Sequence, residues 1–361
     1  MVDKKRLVIT SLVLIAVAVG VYFAGTAKIK DNAKLVEVKQ TPFDAKSLIW
    51  QEVPRESERF GARDAGGVIA FKGKLFYYGG LDGNAVHEGR AVDYWEAPHY
   101  QDTWMSEDGF HWQKIVDTNT WPPMRSISIA KFKNKLWLQG GWSPIEGYVD
   151  GIWSSDDGIA WQRVATIPWE EREGQVLEDY EGKLYMMGGV NFDKRKTYND
   201  VWVSDDGKAW SLVTPSAPWD SRYDHDSIVF HDKMYVLGGV KLGGVGSADV
   251  WTTSGTSTGK VWEKVTDTAP WGPLHGHTAV LYKGLMWVIG GWKTIPDVGS
   301  EEQWFTADGI TWEKTTEDLP WAGREDHAAV TFRNRLWVWA GMDSDFRWHN
   351  DIWYSTTTPK L

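Results

Sequence analysis

Short runs that mix apolar and polar positions, each closed by a glycine pair, recur along most of the chain. "FKGKLFYYGG", "FKNKLWLQGG", "YEGKLYMMGG", "FHDKMYVLGG", "YKGLMWVIGG" and "FRNRLWVWAG" begin at Phe71, Phe132, Tyr180, Phe230, Tyr282 and Phe332. In each, an aromatic residue leads through a basic turn into an apolar stretch; Ala340-Gly341 is the degenerate pair of the sixth copy. A tryptophan follows each run, at 104, 153, 202, 251, 304 and 353, at spacings of 49, 49, 49, 53 and 49 residues. A second tryptophan follows at 112, 161, 210, 262 and 312. Aromatic and β-branched enrichment between glycine-rich turns predicts strands rather than helices. About 50 residues holding four strand-length runs predicts that each unit folds as one small sheet.

Between the two tryptophans lie "MSEDGFH", "SSDDGIA", "VSDDGKA" and "FTADGIT". Paired carboxylates beside a glycine invite three readings: an acid pair, an acidic calcium loop, or a turn. Asp108-Gly109, Asp157-Gly158, Asp206-Gly207 and Asp308-Gly309 all fall between the third and fourth predicted strands, where a tight hairpin needs positive φ. The fifth unit uses "SGTSTGK" instead. Pseudo-equivalent turns repeated around an array point away from one another, so the stretch reads as a turn.

The sixth unit stops after its third strand, at "DIWYSTTTPKL". "IWQEVP", Ile49 to Pro54, matches the fourth strands "HWQKIV" and "AWQRVA", so Trp50 is expected to pair with the Trp353 strand and close the array. The Gly-pair runs and Trp-centred strands resemble the kelch-repeat β-propellers of the galactose-oxidase/kelch superfamily over residues 48–361. The resemblance implies an all-β, six-bladed kelch-type propeller closed by strand 49–54. The usual kelch Tyr after the Gly pair is mostly replaced here by Trp. "SSDDGIAW" also resembles the sialidase Asp box, itself a structural hairpin.

Residues 1–25 have a different pattern. After "MVDKKR", Leu7 to Gly25 is a 19-residue run whose polar side chains before Tyr22 are Thr10 and Ser11. As a helix it would be roughly 28 Å long, about one hydrocarbon thickness, so an uncleaved transmembrane anchor is expected in preference to a cleaved signal. Lys4, Lys5 and Arg6 place the N-terminus inside and the globular part in the periplasm or another exported space, although Lys28, Lys30 and Lys34 flank the other end. Residues 26–47 read as a polar linker. A net charge of −10 argues against nucleic acid. The absence of cysteine excludes disulfides and thiolate chemistry. No cofactor is expected.

Candidate sites collect on the face that carries the loops entering each first strand and following each second strand. Eight residues before each leading aromatic stand Arg63, Met124, Arg172, Arg222, Leu274 and Arg324; five before stand Gly66, Ile127, Gln175, His225, His277 and His327. The resulting Arg-x-x-His resembles a structural element of kelch units. That favours a structural role for the three histidines over a metal site, which needs nitrogens at about 2.0–2.1 Å from zinc. Eleven before stand Phe60, Trp121, Trp169, Trp219, Trp271 and Trp321, whose repetition suits packing better than a sugar platform. Residues that do not repeat are better functional candidates: Trp142, Trp292, Arg347, Trp348 and His349, and the insertion "LDGNAVHEGRAVDYWEAPHYQ", which carries His87, Trp95 and His99. A long aromatic loop of this kind is either a contact surface or a lid.

No catalytic set stands out. Kelch relatives of the galactose oxidase type use copper and a tyrosine–cysteine crosslink that a cysteine-free chain cannot build. The expected role is therefore a membrane-tethered, non-catalytic binding or scaffold subunit docking a neighbouring membrane or periplasmic protein. The alternative is a carbohydrate-binding or sialic-acid-mutarotase-like propeller, with the four arginines on a sugar carboxylate and Trp rings on a glycan.

Overall fold

The computed structural model describes residues 43–356, apart from residues 57, 86–94 and 255–258. The expected anchor at Leu7 to Gly25 and the residue His87 lie outside the described residues. Among the described residues no helix is long and apolar enough to cross a membrane.

Six four-stranded antiparallel sheets account for the repeat units. The first contains Gly67–Phe71, Lys74–Tyr78, Thr103–Ser106 and Trp112–Val116 in that spatial order. The next four repeat this order, with first strands Ser128–Phe132, Val176–Tyr180, Asp226–Phe230 and Thr278–Tyr282. In the sixth sheet Ala328–Phe332, Arg335–Trp339 and Ile352–Thr356 are joined on the outside by Ile49–Glu52. There Trp50 lies opposite Ser355 and Glu52 opposite Trp353. Each first strand neighbours the first strand of the next sheet, and Ala328–Phe332 neighbours Gly67–Phe71, so the six line a closed central channel. The fold is a six-bladed β-propeller.

Aromatic packing ties the blades together. The Asp-Gly hairpins show how. Gly109, Gly158, Gly207 and Gly309 have φ of +87°, +81°, +79° and +75°. A methyl group on any of them would fall 2.4–2.8 Å from a ring of the preceding blade: Trp337, Phe76, Trp137 or Tyr235. Gly259 meets Tyr185 in the same way. Each Asp serves its own turn. Asp157 Oδ1 accepts from the Ile159 and Ala160 amides at 2.8 and 2.9 Å, and Asp108, Asp206 and Asp308 repeat the pattern. Backbone amides satisfy these carboxylates, which have no catalytic geometry.

Candidate binding site at the channel mouth

The repeated arginines are part of the scaffold. Arg222 donates to the Gly238 carbonyl at 2.8 Å and to both Asp249 oxygens at 2.6 and 3.0 Å, while Asp249 also accepts from the Trp251 indole at 2.7 Å. Arg63 with Asp102 and Trp104, Arg172 with Asp200 and Trp202, and Arg324 with Asp351 and Trp353 form the same latch. All four arginines are fully buried. Their donors already face a carboxylate and a carbonyl, so this geometry offers no free guanidinium face to a sugar acid.

The repeated histidines pack between blades. Methyl groups on Gly188, Gly238 and Gly290 would fall 2.4–2.8 Å from Cε1 of His225, His277 and His327. Each imidazole therefore lies over the first glycine of the preceding blade's pair. Burial pushes all three down to about 3, so they are neutral at physiological pH. With Gln175 they line a second cavity of about 180 Å³, which shares Ala65, Ser126, Asp224 and Asp326 with the one at the channel mouth. Among the described residues no group of three or more His, Asp or Glu is placed to hold a metal ion.

The channel mouth is built by the two residues between each Arg and His position. The first of the pair is Asp64, Arg125, Glu173, Tyr223, His275 and Glu325, and ten of the twelve residues of the two positions, all but Gly174 and Gly276, line a mouth cavity of about 260 Å³. The second is Ala65, Ser126, Gly174, Asp224, Gly276 and Asp326, all with φ between +48° and +65°. This left-handed backbone is held by a belt of bonds around the channel. Asp224 N donates to Gly174 O, Gly276 N to Asp224 O, Asp326 N to Gly276 O and Ala65 N to Asp326 O, at 2.9–3.1 Å. Inter-blade bonding thus offsets the strain of positive φ at non-glycine positions. The belt also fixes Asp224 and Asp326 at the lip.

The mouth is acidic. Asp64, Glu173, Asp224, Glu325 and Asp326 face the cavity. Glu173 is bound by Arg125, Nε to Oε2 at 2.9 Å and Nη2 to Oε1 at 3.1 Å. Burial, and then the charge of Asp326, holds Asp64, Asp224 and Glu325 well above the usual carboxylate range. Burial, and then Glu173, pushes Asp326 up to about 6. His275 lies 3.3 Å from Glu325, but burial lowers it to about 4, so at neutral pH it is an uncharged neighbour.

Aromatic residues form the rim. Arg125 sits 4.6 Å from the Trp95 ring centroid and 5.1 Å from that of Trp142. Trp95 meets Trp142 edge-on at 4.5 Å, and Phe192 meets Tyr223 edge-on at 5.4 Å. The Tyr148 hydroxyl accepts from the Phe192 amide at 2.7 Å and so positions that ring. Of the non-repeating candidates, Trp95, Trp142 and His99 meet here; His99 lies 5.4 Å from Trp142. Trp292 is buried and donates to Asp297 at 2.6 Å. Trp348 is buried against Gly83, its backbone bracketed by Asn84. Arg347 is exposed and paired with Asp345 at 3.2 Å, and His349 bonds Asp343 at 2.8 Å.

Asp64, Glu173 and Glu325 carry a sequence signal that the repeat landmarks conceal. They occupy a strictly repeated position whose six copies differ in chemistry: Asp, Arg, Glu, Tyr, His and Glu.

Sheet order, glycine-pair closures and the Arg–Asp–Trp latches define a kelch-type propeller. The model of the KLHDC2/KLHL20/DRC7 Kelch-repeats domain matches residues 14–239, and the chain belongs to the kelch-repeat family. It is similar to the Leucine-zipper-like transcriptional regulator 1 homolog of Drosophila melanogaster, 24% identical over 242 residues that cover 63% of this chain and 23% of the relative. It is also similar to Kelch repeat protein M-T8 of Myxoma virus (strain Lausanne), 24% identical over 251 residues covering 69% and 42%. The chain thus spans less than half the length of these two relatives. The solved structure of YjhT superposes with a TM-score of 0.65 at 15% identity, over 82% of this chain and 95% of that one; the likeness is one of fold.

Proposed function

We propose that this chain is a non-catalytic protein-binding propeller that docks its partner on the channel-mouth face. The observation that carries the reading is a crown of apolar side chains at the tips of that face's loops. Ile145 is 74% exposed and Ile295 78%, and Val245, Trp95 and Phe346 are exposed with them. Exposed apolar tips around a charged depression have the make-up of an interface, with apolar contacts surrounding a polar anchor point. In this reading Leu7 to Gly25 tethers the propeller to a membrane on the exported side, which raises its effective concentration for a membrane-associated partner. An acidic sugar fits the mouth less well than a protein does, since its carboxylate would face a ring of carboxylates.

Site-specific photo-crosslinking in the native membrane tests the reading. A photoreactive residue at position 145 or 295 is expected to give an adduct of defined mass, and one at Leu212, outside this face, is not. Adducts of equal yield at position 212, or none at 145 and 295, would overturn docking by this face.

A further inference from the structure

We infer that the channel mouth is a guanidinium-binding cup, built to take one arginine side chain from the partner. The partner as source rests on the docking reading above; the chemistry of the cup does not.

Charge and saturation argue for a cation. Among the described residues lining the cavity, the basic ones are Arg125, already bound to Glu173, and His275, which is uncharged at neutral pH. Asp64, Asp224, Glu325 and Asp326 also face the cavity; the charge of Arg125 reaches Asp64, Asp224 and Asp326, but its hydrogen bonds go to Glu173. Asp64 is the most buried of them at 2% exposed; the Trp348 indole bonds its carboxyl, and its Oδ1 is left without a hydrogen bond. A buried carboxylate oxygen without a donor is costly, and a ligand N–H would relieve it.

Shape and chemistry select a guanidinium. About 260 Å³ is below the range of pockets for drug-sized ligands and suits one long side chain. Around it the protein already holds a guanidinium in the expected manner: Arg125 lies beside Trp95 and Trp142 and grips Glu173 through two nitrogens. A second planar cation could lie along Phe192 and Tyr223 and direct its donors at Asp64, Asp224 and Asp326. A lysine ammonium has three donors on a compact, strongly hydrated charge and makes poorer use of flat rings and paired carboxylates.

The test is isothermal titration calorimetry on the full chain in detergent, with N-acetyl-arginine amide as probe. Saturable binding is expected at a Kd of about 0.1–1 mM near pH 7.5, the range open to a ligand of this size. The neutral isostere N-acetyl-citrulline amide should give no saturable heat, and N-acetyl-lysine amide should bind several-fold more weakly. Free L-arginine, whose own carboxylate would enter the acidic mouth, should also bind more weakly than the blocked form. Asp64→Asn and Asp326→Asn, each checked for an unchanged melt, should weaken binding about tenfold or more. Affinity should also fall about tenfold between pH 7.5 and pH 5, since Asp326 takes up its proton at about 6.

Absence of saturable heat with the arginine probe, or equal binding of citrulline, would overturn the cup. Tighter binding of free arginine than of the blocked form would overturn the partner as source. The two readings fail separately. Crosslinks at 145 and 295 without arginine binding would sink the cup and leave the docking face; arginine binding without those crosslinks would do the reverse.

Discussion

Arg222→Met is the substitution that best separates a structural from a ligand-binding role for the repeated arginines. It removes four donor contacts: to the Gly238 carbonyl, to the Asp220 carbonyl at 3.0 Å and to both Asp249 oxygens. It leaves Asp249 charged in a half-dry site and Gly238 O without its side-chain donor. Breaking a buried pair by deleting one partner costs about 3–5 kcal/mol, and we expect a loss in that range at pH 7. Burial alone would raise Asp249, but Arg222's hydrogen bond and charge hold it below the usual value. In the wild type that depression contributes stability above the unfolded pKa, which is lost as pH falls through the folded one. Without Arg222 the burial effect prevails and Asp249 can escape its penalty by taking a proton, so the loss should shrink towards pH 4. Adding Asp249→Asn should restore about 2 kcal/mol at pH 7, because it removes the uncompensated charge and keeps an acceptor for Trp251. The second and fifth blades make this plausible, since they carry buried Met124 and Leu274 where the other four carry Arg. The assay is urea denaturation at pH 7 and pH 4 for the two single variants and the double. A loss below about 1 kcal/mol for Arg222→Met, or strictly additive losses in the double variant, would refute the latch.

Trp50→Ala should cost about 3–5 kcal/mol in the same assay, because it empties a buried site, breaks the 3.0 Å bond to Gln303 and removes an edge contact with Trp321 at 5.0 Å. Asp157→Ala deprives two amides of their acceptor at one exposed hairpin and should cost about 1–2 kcal/mol, leaving arginine binding unchanged. Burial, and then Asp226, raises Glu178 to about 8, while burial raises Asp226 to about 7. Folded-state values above the unfolded ones mean that protonation favours the fold, so this pair's contribution is best below about pH 4 and declines as pH rises towards 8. Glu178→Gln should therefore stabilise the protein by about 1–3 kcal/mol at pH 8 and by little at pH 4.5, measured as denaturation midpoints.

The propeller was legible because its strongest packing constraints act once per blade. Trp104, Trp153, Trp202, Trp251, Trp304 and Trp353 sit in the third strands, and the glycine pairs close the second. The latches were only half legible. The Arg stands out eight residues before its landmark, but its partner lies 27–39 residues further on, in "DTW", "DVW" and "DIW". An arginine seen without that partner looks available for a ligand. Trp95 and Trp142 come from loops of different blades and look unrelated until the fold sets Arg125 between them. Asp224 and Asp326 were hidden because their meeting depends on the left-handed turn and on the belt of inter-blade bonds, neither of which has a residue-type signature; Ala, Ser, Gly and Asp all occupy the turn.

A repeat fold gives a physical criterion for telling scaffold from site. A residue that satisfies a local need of the blade, such as a capped hairpin or a ring under a glycine, faces the same need in every blade and is reused. Departures at such positions are compensated nearby: Lys293 and Lys314 hold Glu302 in the fifth blade, where no arginine reaches it. The position that carries Asp64, Arg125, Glu173, Tyr223, His275 and Glu325 behaves differently. Its backbone role is the same in each blade, yet its side chains share neither charge nor shape, so blade packing does not select them. What they share is the cavity they face. Burial, and then the neighbouring charge of Asp326, raises Asp64, Asp224 and Glu325, so ionising them in the empty mouth is costly. The same shifts mean that a cation entering the mouth gains the energy of ionising those groups only in part, because protons must first leave. Occupation is therefore coupled to proton release, and the mouth should hold its cation more tightly on the alkaline side of Asp326's titration.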